Sequence, residues 1–381
     1  MMTTTTMLQG HDNKTPVLLV AIDMGLKSWR LAMMAQGGAK QRHKTVNGGD
    51  YAALSEALLE AKRKLGLAED APVILCYEAG RDGFYPYRRL TEMGYRVHVI
   101  DSASIEVSRR KRRAKSDGID AAKLLELLHR SEGGENKALR MVNVPSEKTE
   151  DCRQLPRERE ELLAERQQVW NRMSSLLFLQ GYREIPGSAR ELKQWLTERQ
   201  DVGPYLRVRL ERERVRLELL ESQLKEVERK EATWLKEQGD EALIAKVALL
   251  AQLGGFGIIS AWVLVTEVFG WRGFRNRRQV GGALGLTPTP YSSGEDEREQ
   301  GISKAGNWRA RKMLIEIAWC WLRYQPDSAL TRWYEARFGR GGKRQKRVGI
   351  VALARRLAVA IWHYLDHGVV PEGARLKGAA A

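Results

Sequence analysis

The sequence predicts an α/β N-terminal domain, a long helical spacer and a mostly α-helical C-terminal domain. Three observations carry this. Short apolar runs alternate with helically spaced segments between residues 17 and 130. Stretches dense in Glu, Arg, Leu and Gln fill 157–180 and 205–239. Apolar, Trp-rich helical segments then occupy much of 242–365. At 381 residues, and about 150 residues per domain, two or three domains are expected. Composition draws the boundaries as a disordered lead-in over 1–14, the α/β domain over 15–145 and the spacer over 146–241. A helical domain follows over 242–370, with a flexible Gly/Ala tail over 371–381.

Taken in order, Val17–Asp23 (VLLVAID) and Trp29–Met34 read as two strands with Gly25 near their turn. Tyr51–Leu65 has helical spacing, and Gly66 suits its C-terminal cap. Pro72–Cys76 is a third strand, Phe84–Met93 a helix, Arg96–Ile100 a strand and Asp117–His129 a helix. In the spacer, Leu210, Leu217, Leu220, Leu224, Val227 and Trp234 keep a largely 3–4 spacing, with Arg214 and Glu231 as polar interruptions. Such a narrow seam suits a helical hairpin or a coiled coil between subunits. Pro186 and Gly187 separate the two helical stretches. Further on, a glycine turn at Gly254, Gly255 and Gly257 leads into an apolar helix over Ile259–Phe269. Trp271–Leu286 is basic and Gly-rich, Pro288–Gly294 a loop, and Ala310–Tyr324 a helix. A basic patch, Lys343–Arg347, precedes a helix over Ile350–Leu365.

Lys and Arg number 64 against 48 Asp and Glu, a net charge of +16, which points to a polyanionic partner, with acidic phospholipid as the other class. No apolar run approaches the ~18 residues of a membrane span, and Met1–Asp12 lacks a signal-peptide pattern. Cys76, Cys152 and Cys320 are too few and too scattered for a disulfide scaffold or thiolate cluster. The expectation is a cytoplasmic protein without a membrane partner.

Four acids belong together. Asp23 closes one strand, Glu78 lies just past the end of another, and Asp117 and Asp120 share one side of a helix start. Converging carboxylates repel unless neutralised, and hard divalent cations favour oxygen ligands. A cation pair about 3.5–4 Å apart positions an attacking oxygen and stabilises a leaving one. Individually these acids also read as a surface residue, a turn residue and a helix cap. The run Arg109, Arg110, Lys111, Arg112, Arg113 and Lys115 would hold a phosphate backbone beside them, or form a solvated face in which Asp120 is ion-paired.

With these residues in view, AIDMG at Ala21–Gly25, YEAG at Tyr77–Gly80 and KSDGIDAAKL at Lys115–Leu124 resemble the N-terminal domain of the IS110-type transposases. Leu253–Phe269 resembles that family's helix-hairpin-helix-like segment, and Val280–Asn307, with GLTPTPYSSG and GISKAGN, its transposase signature. The resemblance implies an RNase H-like, resolvase-like N-terminal fold whose acidic, metal-binding tetrad is Asp23, Glu78, Asp117 and Asp120. It implies Mg2+ as cofactor, with Mn2+ as the alternative, and DNA cleavage and rejoining for excision and integration of a mobile element. The implied partners are double-stranded donor and target DNA, a structured guide RNA and further copies of the chain in a dimer or tetramer. In that assembly one subunit's N-terminal domain completes a site with another's serine domain. The implied location is the bacterial cytoplasm, at the nucleoid when active.

The resemblance also implies a serine nucleophile within Tyr291–Gly294. We assign Ser293, directly before Gly294, with Ser292 as the alternative that composition does not separate. Residue chemistry alone reads only a polar loop there, and the six histidines form no Ser-His-acid pattern. Arg272, Arg275, Arg277 and Arg278 before it, and Lys304, Arg309, Arg311 and Lys312 after it, are candidate strand-holding residues or ordinary basic surface. Asn307 either orients a phosphate or caps a helix. Trp319 and Trp321 are assigned to the core, while Trp271 and Trp308 remain open to base stacking. His363 and His367 have i,i+4 spacing but no third ligand at zinc spacing. Two rival functions stand beside recombination: a metal-dependent junction nuclease using water as nucleophile, and an inactive nucleic-acid-binding protein.

Overall fold

The computed structural model describes residues 16–80, 83–101, 117–135, 138–237, 241–293 and 296–378. It divides into two compact units, Met1–Val144 with Pro288–Gly306, and Pro145–Thr287 with Asn307–Ala381.

The first unit is built on a five-stranded sheet. β1 (Leu18–Met24), β2 (Ser28–Ala35) and β3 (Gln41–Asn47) pair antiparallel, while β4 (Val73–Glu78) and β5 (Arg96–Ile100) run parallel to β1, giving the order β3-β2-β1-β4-β5. Leu18–Ile22 are all buried, as a strand covered on both faces requires. Two helices make the crossovers, α1 (Tyr51–Lys64) and α2 (Tyr85–Glu92). Asp50 caps α1 by accepting from the Ala53 amide at 2.9 Å, and Lys62, Arg63 and Lys64 sit at its negative end. Gly66, at φ +72°, takes the left-handed conformation that ends the helix.

Across one face lies α3 (Asp117–Glu132), whose Ala121, Leu124, Leu125 and Leu128 pack with Leu19, Ala21, Ala32, Met34, Ile74 and Cys76. Its last residue, Glu132, lies 3.6 Å from Arg96 at the start of β5. The helix therefore runs against the parallel strands, and its first turn comes to their C-terminal edge.

Two expectations change here. β3 reads QRHKTVN with only Val46 buried, so this polar edge strand carries no apolar alternation from which to infer it. Glu78 is the last residue of β4 rather than a residue beyond it. A third change concerns Pro288–Gly294. Residues Pro288–Ser293 form β6, paired antiparallel with β7 (Asp296–Ile302). Pro288 and Pro290 suggested a loop, but a two-stranded ribbon leaves outward N–H positions that proline can occupy.

The second unit is helical: α4 (Glu147–Asp151), α5 (Gln154–Leu179), α6 (Ala189–Glu198) and α7 (Pro204–Glu237) come first. Arg172 meets Glu213 and Arg159 meets Glu228, so α5 and α7 form an antiparallel hairpin. Leu210, Leu217, Leu220, Leu224 and Val227 are buried against Leu162, Val169, Met173 and Leu177 of α5. The seam passes through Glu213, which is 4% exposed, rather than Arg214. Arg172 and Arg216 neutralise Glu213: burial pushes its carboxyl up, and their hydrogen bonds and charge together pull it below the usual range. The Trp234 side chain lies outside those described.

Glu231, the next seam position, is 3% exposed, and among the described residues its Oε1 has no hydrogen-bond partner. Burial pushes its carboxyl up to about 7, with Arg159 opposing and Glu228 adding to the rise. A folded pKa above the ordinary 4.5 means that the native state binds the extra proton. Stability from this group is therefore full below about 4.5 and lost as pH rises through about 7. Glu231→Leu should raise stability at pH 8 by about 1–3 kcal/mol, with the gain shrinking towards pH 4.5. Thermal melts of both proteins across that range provide the measurement.

The rest of the unit comprises α8 (Glu241–Ala251), α9 (Ile258–Leu264) continuing as a π turn over Val265–Phe269, α10 (Arg277–Ala283) and α11 (Trp308–Tyr324). It ends with α12 (Ala329–Tyr334), a π segment at Glu335–Gly339, and α13 (Lys343–His367). The Lys343–Arg347 patch thus forms the first turns of α13 instead of preceding it. By length and composition α13 is apolar enough to cross a membrane. Its Ile350, Leu353, Leu357 and Ile361 are nevertheless buried in the protein core, and Arg355 and Arg356 interrupt its middle.

The chain after Val370 is tied down through residue 378, not a loose tail. The Arg375 amide donates to Gln325 Oε1, Gln325 Nε2 donates to the Arg375 carbonyl, and Leu376 bridges to Leu253. Gly254 sits in this knot, where a Cβ would stand 2.6 Å from Gln325 Nε2. The glycine turn is accounted for by close packing against α11 and the C-terminal segment.

Candidate active site

The acidic edge is built by register. Ile22 stands beside Tyr77 in the parallel β1–β4 pair, so Asp23 and Glu78 occupy the next step, on strands about 4.8 Å apart. Side chains alternate along a strand, and Leu19 and Ala21, like Ile74 and Cys76, face α3. Asp23 and Glu78 continue those two series, so both belong to the α3 face. Asp23 is half-buried and Glu78 exposed.

Asp117 and Asp120 form the first turn of α3, one turn before Ala121 and Leu124 respectively. By backbone position they continue the stripe that packs on the sheet, at the end where Asp23 and Glu78 stand. Their side chains lie outside those described, as do residues Arg109, Arg110, Lys111, Arg112, Arg113 and Lys115. Among the described residues no three His, Cys, Asp or Glu side chains come together as a metal site.

One cation at this edge was not anticipated. Arg30 on β2 is the cross-strand partner of Asp23, and its series, with Ala32 and Met34, also belongs to the α3 face. Its only sequence signal was that it interrupts the apolar run Trp29–Met34. Pairing register is invisible in residue types alone.

The serines stand at the tip of the β6–β7 ribbon. Ser293 pairs with Asp296 and Ser292 with Glu297, so the two serines occupy opposite faces of the ribbon. This ribbon belongs to the same compact unit as the sheet. At its base, Lys304 is exposed and has φ +57°, the only non-glycine among the described residues in the left-handed region.

Several basic candidates are engaged within the second unit. Arg309 Nε and Lys312 Nζ donate to Glu160 at 3.0 and 2.9 Å, and Arg311 donates to the Leu284 carbonyl. Arg272 lies over the Trp271 ring, while Arg275, Arg277 and Arg278 are exposed. Asn307 caps α11, accepting from the Ala310 amide, and donates to Glu267 Oε2 at 2.7 Å. Trp321 is buried as expected, but Trp319 is 48% exposed. Trp308 is equally exposed and lies beneath the Arg309 guanidinium.

Glu267 is a buried hub that the sequence reading missed. It is 1% exposed and receives two hydrogen bonds from Arg157, at 2.7 and 3.0 Å. Burial pushes its carboxyl up, but the Arg157 and Asn307 hydrogen bonds and the Arg157 and Arg153 charges outweigh this and hold it low. It borders a cleft of about 620 Å³ that also touches Glu160, Ile259, Trp308 and Met313. The cations Arg157, Arg309 and Lys312 in this cleft are taken up in internal pairs, so it reads as the joint between α5, α9 and α11. His363 and His367, the remaining metal candidates, pack against Trp362, His363 at a tilt and His367 edge-on, their own rings 5.7 Å apart.

Comparison with known proteins identifies the family. A DEDD-type transposase model of the IS110 kind matches residues 20–182, and the model of the IS116/IS110/IS902 transposase family matches residues 247–334. A relative from Sinorhizobium fredii named as a transposase, y4rJ, is 39% identical over 375 residues, covering 94% of each chain. The transposase for insertion sequence element IS1328 of Yersinia enterocolitica is 27% identical over 309 residues, 80% of this chain and 87% of that one. With the acidic sheet edge at one end and the serine-bearing ribbon within the second half, this chain belongs to the IS110-type transposases, enzymes that act on DNA.

Proposed function

We propose that this transposase cleaves and rejoins DNA through a serine nucleophile, Ser293, working with a metal-binding tetrad of Asp23, Glu78, Asp117 and Asp120. One observation carries the reading. Asp23 and Glu78 take adjacent positions on the α3 face, and the helix turn bearing Asp117 and Asp120 comes to the same edge. The sheet order, with three antiparallel strands and two parallel ones, supports an RNase H-like fold.

An all-carboxylate donor set fits a hard divalent ion, Mg2+ or Mn2+, better than a softer one. When bound, such an ion would neutralise charge at the scissile phosphate and favour the alkoxide. The β1–β4 ladder holds Asp23 and Glu78 at neighbouring strand positions, and α3 fixes the backbone of the other two acids. Ser293 Oγ gives up its proton and attacks phosphorus, the bond to one DNA oxygen breaks, and that oxygen takes up a proton and leaves as a hydroxyl. The ester to serine keeps the bond energy for the reverse step on another strand. Exposed Arg275, Arg277, Arg278 and Lys304 are suited to hold the phosphate backbone. A structured guide RNA, a dimer or tetramer and a cytoplasmic setting complete the reading that the family resemblance implies.

The test joins binding to cleavage. Asp23→Asn and Asp120→Asn should each weaken Mn2+ binding, read by electron paramagnetic resonance, and lower strand cleavage at least ~100-fold with the fold intact. Wild-type metal affinity in both variants would overturn the tetrad.

A further inference from the structure

The helical unit carries a second basic surface with no part in the chemistry above. Arg337 and Arg340 lie on the π segment and turn after α12, and Lys343, Arg344, Lys346 and Arg347 lie on the first turns of α13. All six are exposed, and among the described residues none is in an ion pair. The contrast is local. Nearby Arg332 and Arg375 are paired with Glu372 and Asp327.

This corner is held rigidly. Phe338 packs against Trp333 and Tyr334, with ring centroids 5.7 and 5.8 Å apart. It seats over Gly349 of α13, where a Cβ would meet the ring at 2.5 Å. Arg356 covers the Trp333 ring at 4.1 Å, and Tyr334 Oη donates to the Lys346 carbonyl. Single-turn π segments are rare and are frequent at functional sites.

The charges are also placed against stability. No acid lies in the first turn of α13, and no side chain caps it, so its cations add to the positive end of the helix. Glu335, whose carboxylate lies against Gly339, is the only acid between residues 335 and 347 and stands against six cations, so an external anion is needed to balance the rest. Trp333 is covered, and the exposed apolar residue here is Val348, so the corner offers no aromatic platform for unpaired bases. It offers charge at fixed spacing, which suits the phosphates of a duplex.

We propose that the Arg337–Arg347 corner holds the phosphate backbone of double-stranded DNA, as a positioning surface separate from the acidic edge and the serine ribbon. The proposal relies on the chain's being a DNA enzyme but not on Ser293 or the tetrad.

Binding is measured in the full chain, without divalent cation and in a Ser293→Ala background, so failure of the chemical reading would leave the result untouched. The probes are a DNA duplex of arbitrary sequence and an RNA duplex of the same length. Replacing Lys343, Arg344, Lys346 and Arg347 by Ala should weaken DNA binding more than ~10-fold near physiological salt and lower the log–log salt slope by about 3. Melting temperature should hold or rise, since the cations oppose the helix dipole. Exchanging Lys for Arg and Arg for Lys at the four sites should retain affinity. If melting temperature falls, Arg337→Ala with Arg340→Ala, outside α13, should still lower the slope by about 1–2. An unchanged slope in both variants, or a loss confined to the RNA duplex, would overturn the proposal.

Discussion

Ser293→Ala should retain DNA binding while abolishing strand cleavage and any protein–DNA adduct that survives denaturation. Removing a nucleophile that has no substitute costs on the order of 10³–10⁶ in rate. Ser292→Ala should keep a measurable part of both activities. Adjacent strand residues face opposite sides of the ribbon, so only one of the two serines can meet a scissile phosphate from a given side. Loss of the adduct in Ser292→Ala alone would shift the assignment by one residue. Wild-type cleavage by Ser293→Ala with no adduct would make water the nucleophile and the protein a junction nuclease. Mixing Ser293→Ala with Asp120→Asn chains adds a further reading. The family resemblance implies a site completed between subunits, for which the mixture should regain cleavage. Yet the ribbon groups with the sheet of its own chain, and a site built within each chain gives no recovery.

What the residues disclose and what they conceal follow from how each element is stabilised. β1 and α3 were legible because burial demands apolar residues at fixed spacing, as at Leu18–Ile22 and at Ala121, Leu124 and Leu128. The 3–4 spacing of α7 was legible for the same reason. β3 was not, because an edge strand is held by its backbone ladder and tolerates QRHKTVN. Asp23 and Glu78 were placed within a residue of where the structure has them, Asp23 one residue before the end of β1 and Glu78 at the end of β4 rather than beyond it, but their adjacency is a property of the β1–β4 register, which no local pattern encodes. Arg30 was missed for that reason, and Glu267 because its partners Arg157 and Asn307 lie 110 and 40 residues away. Asn307 itself was ambiguous until Ala310 fixed it as a cap. The C-terminal segment, polar and rich in glycine, is anchored by main-chain bonds to Gln325 and Gln252 that composition does not reveal.

Leu217→Asp combined with Leu224→Asp should melt the α5–α7 hairpin. Leu217 is 1% and Leu224 5% exposed, in one cluster with Leu162, Val169, Met173 and Leu177. Losing their burial forfeits roughly 1.5–3 kcal/mol for each leucine. Each introduced carboxylate adds several kcal/mol for a buried unpaired charge. The total approaches the ~5–15 kcal/mol that holds a typical domain, so the cooperative thermal transition should be lost or fall steeply, with helical circular dichroism reduced. The opposite face of α7 supplies the control. Val215 and Leu219 are 53% and 58% exposed, and Asp at either should change stability by no more than about 0.5 kcal/mol. These two residues also separate the possible uses of the helix. The Leu217 seam is closed by α5 of the same chain, so its loss should act through folding. If Val215→Asp or Leu219→Asp lowers the mass by light scattering without lowering the melting temperature, the outer face of α7 joins subunits. If the Leu217/Leu224 double variant keeps its melting temperature, the seam does not hold the unit together.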